Sequence, residues 1–424
     1  MTADGSAAPT IDADGVLADL DALAAATSGP DGARRVCWTP VWAAARDLLR
    51  ERLAAIGINE VETDEAGNLW ARLPGADRSA PALALGSHLD SVPAGGPLDG
   101  ALGVMAALGV LRAWAADPEG RVPPRDLVLI DFADEEGSRF GRSLFGSSAL
   151  AGTLDPAALA DLTDAEGEPI GPVLAAAGVE LEGAPRANAR LGSIGSYIEL
   201  HIEQGPVLEA EGESCSAVSG CAGVERFRLD LTGQASHAGT TPMIQRRDAG
   251  LAAAEIGLAV ERIARENGGV GTTGSLELEP GVITAVAGRA ALGVDLRHPR
   301  EPELAAMLAA VREVAGTIAA GRGCEIAEHP IWRIEPIPFD PELVRLAEAA
   351  AAAAGGRAAA IASGALHDAA EMARVVPTAM VFAASVRGIS HAKEERSEER
   401  DLRAAIAAFG DLAGAALFGP PGMS

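Results

Sequence analysis

Lysine is nearly absent from this 424-residue sequence, and aromatic residues are scarce. Lys393 is the only lysine, and aromatic residues make up 3% of the chain. Because a P-loop needs a lysine directly after its glycine-rich turn, a P-loop nucleotide site is excluded. The hydrophobic content of 48% is typical of a globular fold, so the core has to be built mainly from Ala, Val, Leu and Ile.

Cysteine and long apolar runs are also scarce. The four cysteines include no Cys-x-x-Cys pair, which argues against a disulfide framework and favours a reducing compartment. The N-terminal stretch MTADGSAAPTIDADG lacks the basic start and the apolar segment of a signal peptide. No uncharged apolar run reaches the roughly 20 residues that cross a bilayer. We therefore expect a cytoplasmic protein with no membrane partner.

Positive charge is low relative to negative charge. The sequence has 60 acidic side chains against 34 basic ones, a formal net charge of −26. An acidic protein is repelled by the phosphate backbone and by anionic lipid, so we expect neither a nucleic-acid nor a membrane partner.

The first third of the chain alternates between strand and helix patterns. Pro81–Gly86 and Asp126–Phe132 are short apolar runs typical of buried strands, and Gly100–Trp114 between them is an apolar helix. This order predicts an α/β fold with a mixed, mostly parallel sheet flanked by helices. Ligands of such sheets bind outside the carboxyl ends of the strands.

The middle of the chain has a different pattern. Val224–Leu231 alternates apolar and polar residues, as expected for a strand with one wet face. A helix, two strands and a second helix follow, over Asp248–Arg265, Ser275–Leu278, Ala290–Arg297 and Glu301–Ala320. We therefore predict a small α+β domain at 223–335, inserted into a catalytic domain formed by 1–222 and 336–424.

Histidines and carboxylates follow several of the predicted strands. His88 follows the first strand, Glu135 and Glu136 follow the second, and His201 and His391 follow later apolar runs. Imidazole and carboxylate together are ligands for Zn²⁺, Mn²⁺, Co²⁺ or Ni²⁺. In a two-cation hydrolytic centre, one of two adjacent glutamates can bind a cation while the other stays free as general base. A single histidine is more often structural, so the inference depends on their joint placement.

Three other classes of protein fit the sequence less well. A serine hydrolase is disfavoured because no Gly-x-Ser-x-Gly elbow occurs. Residues 269–274 fit Gly-x-Gly-x-x-Gly, but they follow a helix terminator and precede a strand, which is the wrong context for a dinucleotide site. A non-catalytic binding protein of this fold would be expected to lose ligands or the free glutamate, and neither is missing.

Six stretches of the chain resemble the N-carbamoyl-L-amino acid hydrolase and allantoate amidohydrolase group of the aminoacylase/carboxypeptidase-like metallohydrolases. They are GSHLDSVPAGGPLDGALGV, DEEGSRFGRSLFGS, HIEQGPVLE, GQASHAGTTPMIQRRDA, SGALHDAAEMA and GISHAKEE, in family order within residues 38–405. The HIEQG element separates this branch from relatives with a carboxylate where His201 stands.

The resemblance implies a site with two divalent cations (Zn, Mn, Co or Ni). His88 and His201 would hold one cation, Glu136 and His391 the other, and Asp99 would bridge them. Glu135 would be the general base, and the Asp99–Gly100 peptide bond is expected to be cis. The activity implied is hydrolysis of a ureido group, either of an N-carbamoyl-L-amino acid or of allantoate. An aminoacylase or dipeptidase activity is disfavoured by HIEQG.

The resemblance also implies roles outside the cation site. His237, on the inserted lid and dimerisation domain, would stabilise the oxyanion from the partner subunit of a homodimer. The substrate-binding candidates are Gln204, Arg297, His367 and Thr284. The chain departs from the family at Thr284, where relatives carry Asn, at Val224, where many carry Gln, and at Leu366, where Gly is usual. These departures leave the exact ureido substrate open.

Overall fold

Two large sheets organise the chain between residues 8 and 418, the part described by this computed structural model. Their main strands are, in chain order, β1 (Val61–Thr63), β2 (Leu69–Leu73), β3 (Ala82–His88), β4 (Leu127–Phe132), β5 (Ile194–Ile202), β6 (Cys215–Cys221), β7 (Gly223–Thr232), β8 (Val270–Glu279), β9 (Arg289–His298), β10 (Glu325–Ile334) and β11 (Thr378–Ala383). Shorter strands lie at Ser28–Gly29, Gly32–Ala33, Ser236–His237, Ala285–Val286, Ile337–Pro338 and Ile361–Ser363.

Helices connect and cover these strands. The α-helices are α1 (Ala13–Thr27), α2 (Pro40–Ala55), α3 (Ala101–Ala115), α4 (Phe145–Ala151), α5 (Ile170–Ala176), α6 (Val207–Glu211), α7 (Ala249–Glu266), α8 (Glu301–Gly321), α9 (Pro341–Ala353), α10 (Asp368–Met372) and α11 (Glu399–Phe418). Short 3₁₀ segments lie at Pro156–Ala158, Leu181–Ser193, Met243–Gln245 and Val386–Gly388.

The larger compact unit runs from residue 8 to Gly220, over Phe339–Ile361, and from Leu366 to residue 418. Its sheet has the order β6-β11-β5-β3-β4-β2-β1. The four central strands are parallel, and β6, β2 and β1 run antiparallel to their neighbours. The predicted mixed α/β sheet is confirmed, with its parallel part confined to the centre. All residues of β3 and β4 are buried, as expected for strands covered on both faces.

The parallel strands bring their carboxyl ends to one edge of this sheet. His88 is the last residue of β3, Glu135 and Glu136 follow β4, His201 lies at the end of β5, and His391 follows β11. Residues that are hundreds of positions apart in the sequence therefore reach a common edge.

The smaller unit comprises Cys221–Pro338 and Ala362–Ala365. Its four-stranded sheet, β8-β9-β7-β10, is antiparallel throughout. Inward-facing residues of β7 and β9 pack with the apolar faces of α7 and α8 in a separate core. The sequence-predicted borders of the inserted domain, 222/223 and 335/336, lie close to the observed borders of this unit. The sequence did not predict that residues 362–365 also belong to it. The roles of this unit as lid and dimerisation domain stay predictions.

Strand β10 was missing from the predicted order of the insert. It contains His329 and Pro330, and a proline within a run of residues argues against a strand in the sequence. The pairing with β7 shifts register between Pro330 and Trp332. Because proline lacks an N–H group, an edge strand or a bulge is where a sheet accepts it.

Helix α8 is the one described helix that is long and apolar enough to cross a membrane by length and composition. Its Leu304, Met307 and Val311 are buried in the core of the smaller unit. The apolar face of α8 is therefore used for packing against protein.

The expectation of a cis Asp99–Gly100 bond was wrong. Among the described residues the cis peptide bond is Glu279–Pro280, and the Asp99–Gly100 bond is trans. The sharp turn into α3 is made instead by Gly100, whose φ is +63°. A glycine tolerates this conformation, so the turn needs no cis bond.

Candidate metal centre

The first group of candidate ligands combines two imidazoles with one carboxylate. Nε2 of His201 lies 3.1 Å from Oδ1 of Asp99, and Nε2 of His88 lies 3.7 Å from the same oxygen. All three side chains are buried. Their ligand atoms lie within 4.8 Å of one another, which is close enough to surround one cation.

The second group shares Asp99 with the first. Nε2 of His391 lies 3.4 Å from Oδ2 of Asp99 and 3.6 Å from Oε2 of Glu136. These ligand atoms also lie within 4.8 Å of one another. Since one oxygen of Asp99 faces each group, its carboxylate can bridge two cations.

Buried polar atoms without hydrogen-bond partners show that this donor set fits metal ions. Nε2 of His88, Nε2 of His201 and Oε1 of Glu136 are buried and make no hydrogen bond. For His201 the approach to Asp99 is short, but its geometry is not that of a hydrogen bond. A buried polar atom without a partner is costly, and divalent cations would satisfy all three atoms.

Backbone carbonyl groups orient the two buried imidazoles. Nδ1 of His88 lies 3.1 Å from the carbonyl oxygen of Asp90, and Nδ1 of His201 lies 2.9 Å from that of Ile202. A hydrogen bond from Nδ1–H to a carbonyl leaves Nε2 with the lone pair that binds a cation. Burial lowers the pKa of His88 to about 4, which favours this neutral form. Burial acts in the same direction on His201, but the adjacent carboxylate of Asp99 instead raises the pKa of His201 to about 9, so Nε2 of His201 has to release a proton when it binds a cation.

Glu135 lies beside the two groups without belonging to either. Its Oε2 is 3.7 Å from Nε2 of His88. Burial, followed by the charge of Glu136, raises the pKa of Glu135 well above its ordinary value. A carboxylate with a raised pKa and no cation of its own is suited to accept a proton from water.

Asp90 fixes the segment that carries both glutamates, and the sequence interpretation missed it. Its carboxylate accepts the backbone N–H groups of Glu135 at 3.2 Å and Glu136 at 3.1 Å, and lies 3.6 Å from Nδ1 of His88. Its position two residues after His88 was the available signal.

Gln204, a predicted substrate-binding residue, lies against the second group. Its Nε2 donates to Oδ2 of Asp99 at 2.9 Å and to Oγ of Ser390 at 3.0 Å, and lies 3.3 Å from Nε2 of His391. The side chain of Gln204 thus lies against candidate cation ligands, and its role in substrate binding stays a prediction.

His367 is buried next to the first group. Its ring centroid lies 4.4 Å from that of His201. Glu199, His201 and His367 form a third candidate ligand group. However, the Glu199 carboxylate already accepts hydrogen bonds from Ser87, Tyr197 and the backbone of Ala369, so it is engaged in holding the scaffold.

Three predicted residues lie in the smaller unit. His237 and Thr284 are both exposed. They lie close to each other, because the carbonyl of Thr284 accepts the N–H of Ala238, the residue after His237, at 2.9 Å. Arg297 is partly exposed on β9, and its Nε donates to Oδ1 of Asp295 at 2.8 Å.

A mixed α/β sheet with paired imidazole–carboxylate groups at its carboxyl edge is the arrangement of a metal-dependent hydrolase. The profile of Peptidase family M20/M25/M40 matches residues 84–415. The chain therefore belongs to this family.

Characterised relatives place it among the amidohydrolases of the family. The chain is 36% identical over 371 residues to an N-carbamoyl-L-amino acid amidohydrolase of Geobacillus stearothermophilus, covering 87% of this chain and 90% of the relative. It is 34% identical over 374 residues to an allantoate amidohydrolase of Escherichia coli (strain K12), covering 88% and 90%. A crystal structure of a hydantoinase/carbamoylase family amidase from Burkholderia multivorans is similar with a TM-score of 0.88 and 33% identity, covering 97% and 99%.

Proposed function

We propose that this protein hydrolyses the ureido C–N bond of N-carbamoyl-L-amino acids, releasing ammonia, carbon dioxide and the amino acid. The observation that carries the proposal is the Asp99 carboxylate, which faces two ligand groups beside an uncommitted Glu135. The relative from Geobacillus stearothermophilus supports the substrate class.

Two divalent cations, when bound by these ligands, would supply Lewis-acid activation of a water molecule and of the substrate carbonyl. Zn²⁺, Mn²⁺, Co²⁺ and Ni²⁺ all suit imidazole and carboxylate ligands. Glu135 accepts the proton of the attacking water as the new C–O bond forms. It then delivers that proton to the nitrogen that leaves when the C–N bond breaks. The carbamic acid formed in this step decomposes, and its remaining C–N bond breaks to give carbon dioxide and the second amine.

Arg297 is proposed to bind the carboxylate of the substrate. Its guanidinium is held by Asp295 and by the carbonyl of Gly364, which accepts from Nη1 at 2.6 Å. A planar guanidinium fixed in this way can offer parallel N–H donors to a carboxylate.

Allantoate is the second candidate substrate. It also carries a ureido carbonyl and a carboxylate, and the Escherichia coli relative is an allantoate amidohydrolase. Thr284, Val224 and Leu366, which depart from the family pattern, are the positions where we expect the preference between the two substrates to be set.

We further propose a cytoplasmic homodimer formed through the smaller unit, with no nucleic-acid or membrane partner. Apolar side chains on α7 and on the edge strand β8 support this, including Leu258 at 71% exposure and Leu276 at 45%. In such a dimer His237 would stabilise the oxyanion in the partner's site.

Ammonia release from N-carbamoyl amino acids and allantoate, before and after chelation, tests the activity. Chelation should abolish release, and added Zn²⁺, Mn²⁺, Co²⁺ or Ni²⁺ should restore it. Glu135→Gln should lower kcat at least about 100-fold with cation content unchanged, while the exposed Glu166→Gln leaves both unchanged. Normal turnover in Glu135→Gln would overturn the base assignment, and background hydrolysis across the substrates would reject both of them.

A further inference from the structure

Glu395 is a buried carboxylate close to the second ligand group, with no role in the activity described so far. It is 3% exposed, whereas its neighbour Glu394 is exposed. Its Oε1 accepts the backbone N–H groups of Leu98 at 3.2 Å and Asp99 at 3.1 Å. One oxygen of Glu395 therefore fixes the backbone from which the bridging carboxylate of Asp99 projects.

The other oxygen of Glu395 holds the loop that carries His391. The hydroxyl of Ser390 donates to Oε2 of Glu395 at 3.0 Å. Ser390 immediately precedes His391, whose φ of +55° places it in the left-handed region that favours glycine. This conformation costs free energy, so it requires surrounding contacts to keep it.

The two cation positions depend on these contacts to different extents. His88 and His201 stand at the ends of central strands and have carbonyl partners for Nδ1. His391 lies on a loop, and its side chain is 53% exposed. A displacement of Glu395 would therefore disturb the Asp99–Glu136–His391 group more than the His88–His201 pair.

We propose that Glu395 is a positioning residue that sets the affinity of the second cation. It acts as a clamp, because it holds the backbone of Asp99 and the loop that carries His391 in place relative to each other. This inference rests on the two-cation site of the proposed function. An amide in place of the carboxylate would present one acceptor oxygen and an NH₂ group, so it could not accept from both the Asp99 backbone and Ser390.

Gly96 offers an independent way to disturb the same clamp. Its φ lies outside the left-handed region, and a Cβ added there would collide with the side chain of Glu395. Gly96→Ala should therefore reproduce the effect of Glu395→Gln without changing any charge. Gly192→Ala, where a Cβ meets no neighbouring atom, is its matched control.

The test is calorimetric titration of the metal-free protein with Mn²⁺ or Zn²⁺, together with thermal unfolding of the metal-free form. In Glu395→Gln and Gly96→Ala we expect the dissociation constant of the second cation to rise about 10- to 100-fold, with a smaller change for the first. Glu394→Gln and Gly192→Ala should behave as the unaltered protein.

Three outcomes separate this inference from the proposed function. Unchanged second-cation affinity in both Glu395→Gln and Gly96→Ala, with two cations in the unaltered protein, would overturn the role of Glu395 alone. Equal weakening of both cations would also overturn it. Failure of the unaltered protein to bind two cations would instead overturn the proposed function. If Glu395→Gln does not fold, Gly96→Ala and Ser390→Ala decide.

Discussion

At the residue scale, Asp99 is the residue on which the site depends. Burial opposes its ionisation, but contacts with His201 and His391 hold the pKa of Asp99 well below its ordinary value. The carboxylate is thus charged and available to two cations. Gly100, directly after it, turns the chain so that α3 begins beside His88 without a clash.

Gly100→Ala should disrupt the site for two reasons. An alanine at positive φ costs about 1–2 kcal/mol, and its Cβ would collide with the ring and carbonyl of His88. We expect lower unfolding free energy together with weakened cation binding, measured by denaturant unfolding and calorimetry. Gly120→Ala, which has a φ of +66° but open space around the Cβ, isolates the backbone cost. Intact cation affinity in Gly100→Ala would contradict this account.

The sequence predicted the residues with chemically distinctive side chains. His88, His201 and His391 stood out among seven histidines because each follows an apolar strand. Asp90 and Glu395 act differently, because each accepts backbone N–H groups from a segment that is distant in the sequence. Such contacts arise from tertiary folding, so the position of Asp90 two residues after His88 placed it near the site but did not reveal which backbone groups it binds.

At the element scale, helix α2 is joined to the central strands by a buried ion pair. Nε of Arg46 lies 2.6 Å from Oδ2 of Asp131 on β4, with side-chain exposures of 5% and 0%. The other oxygen of Asp131 accepts the N–H of Leu89 at 2.8 Å, and Leu89 directly follows the candidate ligand His88. This pair therefore aligns β3 with β4 at the edge where the site lies.

Arg46→Met should leave Asp131 buried without its counter-charge. We expect a loss of about 3–5 kcal/mol in unfolding free energy, measured by denaturant titration. On the same helix, Arg50 pairs with Asp47 at side-chain exposures of 42% and 72%. Arg50→Met should cost less than about 1 kcal/mol. Similar losses in both variants would contradict the importance assigned to the buried pair.

The sequence predicted helices and strands correctly where their apolar pattern is uninterrupted. The predicted helix Gly100–Trp114 matches α3 within one residue at each end, and the predicted helix Glu301–Ala320 matches α8 within one residue. Strand β10 escaped prediction because Pro330 lies at a bulge of an edge strand. Residues 269–274 run into the exposed strand β8, so their glycines do not open a helix and form no dinucleotide site.

At the scale of the whole molecule, the exposed apolar surface of the smaller unit bears on the proposed homodimer. Leu258→Glu on α7 should convert the dimer to a monomer, because it places a charge at the proposed apolar interface. Sedimentation velocity measures this directly. Val122→Glu changes an exposed apolar residue of the larger unit, at 56% exposure, and should leave the mass unchanged. A monomeric unaltered protein would contradict the dimer.

The central claim is that Asp99 bridges two cations beside a free Glu135. Its most direct test is a crystal structure of the protein loaded with Zn²⁺ or Mn²⁺, with anomalous diffraction recorded at the metal edge. The account predicts two anomalous peaks about 3.5–4 Å apart, one held by His88 and His201, the other by Glu136 and His391, and both touching Asp99. A single peak, or cations bound away from Asp99, would contradict it.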